Sequence, residues 1–312
     1  HHQYMFNTLQ LNNGKMLDGG VPAFSDIAQL AGVSNTNWSW APLLFDMNND
    51  GWQDLFVSNG VMRSFRNNDF IIYKRKRVMQ LYEDLKKTQN QDSLIKKYYE
   101  DVLAVMPEKK EVNLLYLNNK NFTFSEMSGE WNLTKPTSTN GAAYADLDND
   151  GDLDIVGNNI NDAAFVYRNN TNELEQSNYL KVKLKGTLSN VDGIGARVTI
   201  ETDGVKQTKE LYLSRGFQSS VSRVLHFGIG ASNSIQTLKV DWPDGQTQSI
   251  AEVVPNQQIT LDYENSVGMV AASIGENVTF QDATHKAGIS YKHVENEFDD
   301  YKRESLLPHK MS

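Results

Sequence analysis

The 312-residue sequence contains no cysteine. Disulfides, thiolate metal ligands and cysteine nucleophiles are therefore excluded, and a protein exposed outside the cell needs another staple, for which a metal ion is one candidate. No apolar run approaches the ~20 residues of a membrane-spanning helix. Basic residues are in deficit: 30 Lys and Arg against 39 Asp and Glu give a formal net charge of −9. That argues against a nucleic-acid surface, which needs basic patches over phosphates, and it fits a cation binder or an extracellular protein. There is no signal peptide and no initiating Met; the sequence opens His1-His2-Gln3, so a missing targeting segment says nothing about location. Hydrophobic residues make up 39%, enough for packed cores in a chain of two or more domains at ~100–200 residues each.

What the chain does have is repetition. Phe45-Asp46-Met47-Asn48-Asn49-Asp50-Gly51-Trp52-Gln53-Asp54-Leu55-Phe56-Val57 aligns with Ala145-Asp146-Leu147-Asp148-Asn149-Asp150-Gly151-Asp152-Leu153-Asp154-Ile155-Val156-Gly157, an offset of 100 residues between positions 46 and 146. A second element recurs as Leu9-Gln10-Leu11-Asn12-Asn13, Leu115-Tyr116-Leu117-Asn118-Asn119 and Val166-Tyr167-Arg168-Asn169-Asn170. A third recurs as Ala23-Phe24-Ser25-Asp26-Ile27, Thr123-Phe124-Ser125-Glu126-Met127 and Thr279-Phe280-Gln281-Asp282-Ala283; two copies continue into Ala31-Gly32-Val33 and Ala287-Gly288-Ile289. Each element is short, β-rich and bounded by turn residues. The unit is thus four strands, one on each side of the Asp loop, the Asn-Asn strand and the Phe strand, which is the signature of a propeller blade.

Two insertions lengthen the period. Residues 63–112 hold two amphipathic helices between Phe70 and Met106, with Val78, Leu81 and Leu85 at i, i+3, i+7 spacing and a stop before Pro107. Residues 176–265 alternate strongly, as in Tyr179 to Leu184 and Ala196 to Ile200, with turn signals at Asp203-Gly204 and Pro243-Asp244-Gly245; they read as a separate all-β module whose ends lie close together. Propeller segments occupy 1–62 and 113–175, and 266–312 hold a return strand and the link to a further blade. Val166-Tyr167-Arg168 is expected to pair with Val278-Thr279-Phe280. Two blades cannot close a ring of ~4–8, so the native chain is expected to be longer.

The two loops carry oxygen donors at positions 1, 3, 5 and 9: Asp46, Asn48, Asp50 and Asp54, then Asp146, Asp148, Asp150 and Asp154. Glycine at position 6 permits a sharp turn, and the backbone carbonyl at position 7, of Trp52 or Asp152, adds a ligand. Calcium takes ~6–8 hard oxygens in flexible geometry, whereas magnesium keeps its waters, so Ca2+ is the expected ion. An EF-hand requires Glu at position 12 and flanking helices; here position 12 is Val57 or Gly157, and both loops run into strands.

These residues resemble FG-GAP/VCBS repeats, the calcium-loop propeller repeats also found in integrin α-chains. The β-rich insertion resembles the ASPIC/UnbV domain through Asp192-Gly193-Ile194-Gly195-Ala196-Arg197-Val198, Ser214-Arg215-Gly216-Phe217-Gln218-Ser219-Ser220, Leu225-His226-Phe227-Gly228-Ile229-Gly230 and Val240-Asp241-Trp242-Pro243-Asp244-Gly245. The combination is similar to the cartilage acidic protein-like family and to surface proteins of Bacteroidetes-type bacteria. The resemblance implies calcium, an extracellular or outer-membrane location with a lipid anchor on a missing N-terminus, and binding or adhesion.

The reading is an all-β partial β-propeller with an inserted ASPIC/UnbV module and a small helical insertion. Its function is a calcium-binding extracellular scaffold for a protein or glycan ligand on the cell surface, with no catalytic residues. Alternatives are a carbohydrate-handling protein, either a glycan-binding subunit or a propeller-based lyase or hydrolase, and an accessory subunit of an outer-membrane nutrient-import complex. Gly193-Ile194-Gly195 and Gly228-Ile229-Gly230 open no helix and read as tight β-turns. His226, in an alternating strand, reads as structural. Trp38, Trp40, Trp52 and Tyr144, beside the loops, read as blade core, with sugar stacking as the alternative.

Overall fold

The computed structural model describes residues 6–17, 20–88, 90–174, 177–268, 283 and 286–288. The chain divides into two compact units, residues 1–268 and 269–312, and every sheet below lies in the first.

The first sheet is the antiparallel pair β1 (Gln10–Leu17) and β2 (Val21–Asp26), which leads into the one-turn helix α1 (Ala28–Ala31). A four-stranded blade follows. Strands β3 (Pro42–Phe45) and β4 (Asp54–Val57) flank the first Asp loop. Then come the helices α2 (Asn68–Leu85) and α3 (Gln91–Ala104), the short strand β5 (Glu111–Val112), and β6 (Leu114–Asn118) and β7 (Phe124–Glu126), in the sheet order β3-β4-β6-β7. This is the meander expected from the repeat, and the 63–112 insertion is the expected helix pair. Asn67 and Asn90 start the helices by accepting the N–H of Phe70 and of Ser93. Phe70, Tyr98 and Val102 hold the helices together.

After β8 (Pro136–Thr137), which pairs with β5, the second blade contributes β9 (Thr139–Ala145), β10 (Asp154–Asn159) and β11 (Phe165–Tyr167), in the order β11-β10-β9, followed by the helical turn α4 (Thr171–Leu174). The expected partner of β11, residues 278–280, lies outside the described residues.

The repeats coincide in hydrogen bonding as well as in sequence. Met127 N–H reaches Leu115 O at 2.8 Å and Trp131 N–H reaches Met127 O at 2.8 Å; Ile27 and Ala31 do the same to Leu9 (2.9 Å) and Ile27 (2.7 Å). Gly32 and Asn132 then take the left-handed conformation at φ 81° and 61°, which glycine and asparagine tolerate best. In the second unit Ala287 N–H reaches Ala283 O at 2.8 Å and Gly288 has φ 62°, a third instance of this turn.

Alternation along β3 and β4 gives the first blade two apolar faces. Leu43, Phe45, Phe56 and Leu115 pack against Ala142, Leu153 and Ile155 of the next sheet. Leu55, Val57 and Tyr116 pack the other way, against Ala28, Ala31 and Val33. Sheets stacked face to face by inward-facing apolar residues are the arrangement of propeller blades.

The inserted module is a sandwich of two sheets. Its strands are β12 (Asn178–Lys185), β13 (Arg197–Thr202), β14 (Val205–Glu210), β15 (Ser214–Arg215), β16 (Ser219–Ser220), β17 (Val224–Gly230), β18 (Ile235–Asp241), β19 (Gln246–Val253), β20 (Gln257–Asp262) and β21 (Val267–Gly268). The sheets run β17-β12-β20 and β14-β13-β18-β19-β21, with β15 paired to β16 separately. Leu180, Val182 and Phe227 meet Val198, Ile200 and Val240 in one core. Asp203-Gly204, at φ 51° and 78°, forms the two-residue turn between β13 and β14.

The module's two ends do not adjoin as expected. Strand β20 runs parallel to β12, with Leu180 opposite Gln257 and Lys185 opposite Asp262, so Asn178 and Asp262 lie at opposite ends of the sheet. The chain crosses between the sheets and returns in the parallel sense, which places Leu261 beside Leu184 in the core.

Candidate metal centre

The loop between β3 and β4 and that between β9 and β10 fold alike because the same positions accept positive φ: Asn49 (58°) and Gly51 (87°), Asn149 (64°) and Gly151 (94°). Side chains at odd positions accept backbone N–H groups ahead of them. Asp46 Oδ1 takes Asp50 N–H at 3.1 Å and Oδ2 takes Gly51 N–H at 2.8 Å; Asn48 Oδ1 takes Asp50 N–H at 3.3 Å, and Asp50 Oδ1 takes Trp52 N–H at 2.9 Å. In the second loop Asp148 Oδ1 takes Asp150 N–H at 3.4 Å and Asp150 Oδ1 takes Asp152 N–H at 3.2 Å.

Position nine has a bracing role that spacing alone did not reveal. Asp54 accepts Met47 N–H at 3.0 Å and Asn118 N–H at 2.9 Å. Asp154 accepts Leu147 N–H at 2.9 Å and Asn169 N–H at 2.8 Å. Each carboxylate thus ties the start of its loop to the Asn-Asn motif on the third strand.

The second loop gathers acid. Asp146, Asp148 and Asp150 each place a carboxylate oxygen within 4.8 Å of the others. Asp146 Oδ1 is buried without a hydrogen-bond partner, and so is Asp152 Oδ1, although Asp152 Oδ2 accepts Asn172 N–H at 3.0 Å. In the first loop Asn48 stands where Asp148 stands in the second, and no such three-acid cluster forms there among the described residues.

Burial raises several of these acids: Asp46 to about 6, Asp54 to about 7 and Asp152 to about 7, with Asp154 raised in the same direction. Arg168, hydrogen-bonded to Asp148, holds that carboxyl below its ordinary value. Like charges drawn together and desolvated favour any cation that can join them. Three already lean on the loops. Lys181 Nζ lies 2.5 Å from Asp146 Oδ2, Arg168 reaches Asp148 at 2.6 Å and Asp150 at 3.2 Å, and Lys120 reaches Asp50 at 3.0 Å. The buried, unpartnered Asp146 oxygen among three convergent carboxylates fits a hard divalent cation.

Both loops also form the seat of the inserted module. Gly230 N–H donates to Asn49 O at 2.7 Å, and His226 Nε2 lies 2.6 Å from Asn49 Oδ1. Asn49 Nδ2 in turn donates to Gly151 O at 2.9 Å, linking loop to loop. A Cβ on Gly228 would lie 2.2 Å from Asp46 Oδ2, and one on Gly151 would lie 1.8 Å from the Tyr179 ring. Lys209 Nζ donates to His226 O at 2.5 Å. Burial lowers Lys209 to about 8, opposed by the charge of Asp46, and lowers His226 to about 3. His226 is structural as expected, but its part in gripping a loop was not foreseen. Lys181 and Lys209 were also missed: strict alternation sends Lys181 to solvent with Lys183, whereas the residue is buried against the loop.

Three of the aromatics beside the loops are packed. Tyr144 stacks on Phe45 at 4.5 Å, Trp40 lies 5.1 Å from Phe217, and Trp38 meets Phe65 edge-on at 5.7 Å. Trp52 is 45% exposed.

Residues 186–268 match the family described as ASPIC and UnbV, and residues 99–157 match the FG-GAP-like repeat. The first match covers most of the sandwich and extends through β21. The second runs from within α3 through the second Asp loop. No curated protein matches the chain.

Proposed function

We propose that a chain carrying an FG-GAP-like repeat and an ASPIC/UnbV domain, with blades stacked as in a propeller, is a calcium-stabilised, non-catalytic scaffold that binds a protein or glycan ligand at the cell surface or outside the cell. The observation that carries this reading is the convergence of Asp146, Asp148 and Asp150 around a buried oxygen of Asp146 that has no donor. Asp46, Asn48 and Asp50, with the Trp52 carbonyl and Asp54, would form a weaker counterpart, because one ligand is neutral. In the second loop the Asp152 carbonyl and Asp154 would complete the set. Calcium is favoured over magnesium because a folded-back loop supplies many oxygens at adaptable distances. No helix among the described residues is long and apolar enough to cross a membrane.

An ion that binds only the folded state stabilises it by RT ln(1 + [L]/Kd), about 2.7 kcal/mol at a hundredfold excess over Kd. The melting temperature is therefore expected to rise with calcium and much less with magnesium. Asp150→Ala is expected to lose most of that response and Asp50→Ala a smaller part. A calcium-independent melting temperature would refute the metal reading. Calcium-dependent polysaccharide cleavage, lost in Asp150→Ala without a change in melting, would replace the scaffold with an enzyme.

A further inference from the structure

Cations near the Asp loops are matched by acids, with two exceptions. Lys120 meets Asp50, Arg168 meets Asp148 and Lys181 meets Asp146. Lys209 and Arg215, both partly buried, form no ion pair among the described residues. Lys209 Nζ donates to His226 O at 2.5 Å and stands 5.2 Å from the Phe227 ring centroid, and Asp46 acts on it through charge without pairing with it. Arg215 lies 4.4 Å over the ring of Tyr212, gives an N–H to Ser214 O at 3.2 Å and stands near Tyr144, whose hydroxyl feels its charge. A cation is costly to desolvate without a counter-charge. These two are held in place without one, in a chain whose net charge is −9.

Both cations line one cleft of about 1080 Å3 between the first blade and the module. Its blade wall carries Pro42, Leu44 and Trp52, and its module wall is formed by β14 with Tyr212 and Arg215. The rings of Trp52 and Tyr212 are 45% and 54% exposed. The other charged side chains of the lining already have partners: Lys206 lies 3.5 Å from Glu201, and Glu210 lies 3.0 Å from Arg197. His226 is kept neutral by burial. The cleft therefore presents open aromatic faces beside two cations that lack acids, and its volume exceeds the ~300–1,000 Å3 that holds a drug-sized molecule.

We propose that this cleft binds a carboxylated glycan, with Trp52 and Tyr212 taking the C–H faces of its sugar rings and Arg215 and Lys209 its carboxylates. The inference rests on the scaffold reading and names the chemistry of the ligand. A sugar ring is amphipathic, so its C–H face packs on an aromatic plane while its hydroxyls meet water or polar groups. A guanidinium presents parallel N–H groups that match the two oxygens of a carboxylate, and Tyr212 already holds that of Arg215 in the lining. An acidic peptide would also meet the cations, but open aromatic faces on both walls favour flat rings over an extended chain.

The test is calorimetric titration of the whole 312-residue chain with hyaluronan tetrasaccharide, which alternates a uronic acid with an N-acetylated sugar, and with its methyl ester, which keeps the shape and removes the charge. The acid is expected to bind, and the ester to bind about tenfold or more weakly, the loss of one charge-assisted contact. That comparison needs no variant and so does not depend on one folding. Arg215→Gln is expected to weaken the acid severalfold and leave the ester unchanged, whereas Trp52→Ala, at an exposed ring, weakens both alike. Lys183→Gln, at an exposed lysine outside the cleft, is expected to change neither. No binding of the acid, equal binding of the ester, or an equal loss in Arg215→Gln and Lys183→Gln would overturn the proposal. So would a hexaglutamate peptide that binds more tightly than the tetrasaccharide and depends on Arg215, because a peptide would then be the occupant. A chain that melts higher in calcium yet binds no tetrasaccharide would sink this inference and leave the scaffold standing. A chain that binds the tetrasaccharide and cleaves it would keep the site and end the non-catalytic reading.

Discussion

Replacing Lys181 with Met keeps the apolar stem of the side chain and removes only its charge. Its ammonium lies 2.5 Å from Asp146, and the two side chains are 10% and 5% exposed. Breaking one half of a buried ion pair costs about 3–5 kcal/mol, because the remaining charge is left desolvated and unpaired. In chelator, Lys181→Met is therefore expected to lose about 3–5 kcal/mol of unfolding free energy in urea. Asp146→Asn in the same background is expected to recover part of that loss, since the carboxylate that Lys181 had neutralised is then gone. Under the proposed calcium site the outcome differs in calcium, because an ion in the second loop would supply the missing positive charge and would no longer compete with Lys181. A site made a hundredfold tighter returns about 2.7 kcal/mol, so the loss in saturating calcium should fall to about 0.3–2.3 kcal/mol. Calorimetric titration would show the tightening directly. An equal loss with and without calcium, at an unchanged Kd, would refute the idea that Lys181 and the ion serve the same carboxylate.

Two further changes probe the grip of the module on the loops. Gly228→Ala drives a methyl group to 2.2 Å from Asp46 Oδ2 and 2.4 Å from Asn49 Cα; it should cost about 1–3 kcal/mol by overpacking and speed exchange at the N–H of Gly51, which lies in the loop and donates to Asp46 Oδ2, a change that a merely local effect within β17 would not produce. His226 is held at about 3 by burial, well below its ordinary 6.5, so the unfolded chain takes up a proton below pH 6.5 that the folded chain refuses. The stability due to this depressed pKa is complete above 6.5 and falls as the pH drops toward 3, by about 1.4 kcal/mol per unit. Asp46 and Asp54, with raised folded values of about 6 and 7, act in the opposite sense: the stability they lend is complete below the ordinary carboxylate range and is lost as the pH rises toward 7. The stability gap between the wild type and His226→Gln cancels those terms and should shrink by about 1 kcal/mol between pH 6.5 and 5.5; a constant gap would show that the ring is not excluded from protonation.

The repeat itself determined the blade. Asp46 to Val57 and Asp146 to Gly157 share local chemistry, in that an acid at position one, asparagine at position four and glycine at position six bend any backbone into the same loop, and alternating apolar residues make the flanking strands. The helix stop before Pro107 and the turn at Asp203-Gly204 are equally local, so they too were legible. Only the tertiary structure decided which face each strand buries when both faces are covered. Lys181 follows Leu180 and precedes Val182, all three buried, because the module lies against one side of β12 and a loop lies against the other; a period-two pattern cannot encode two neighbours. The parallel return of β20 was likewise hidden, since the direction of a strand depends on how many times the chain crosses between sheets and not on the strand's composition. The meeting of His226 with Asn49, 177 residues apart in sequence, required both the insertion and the blade to be in place.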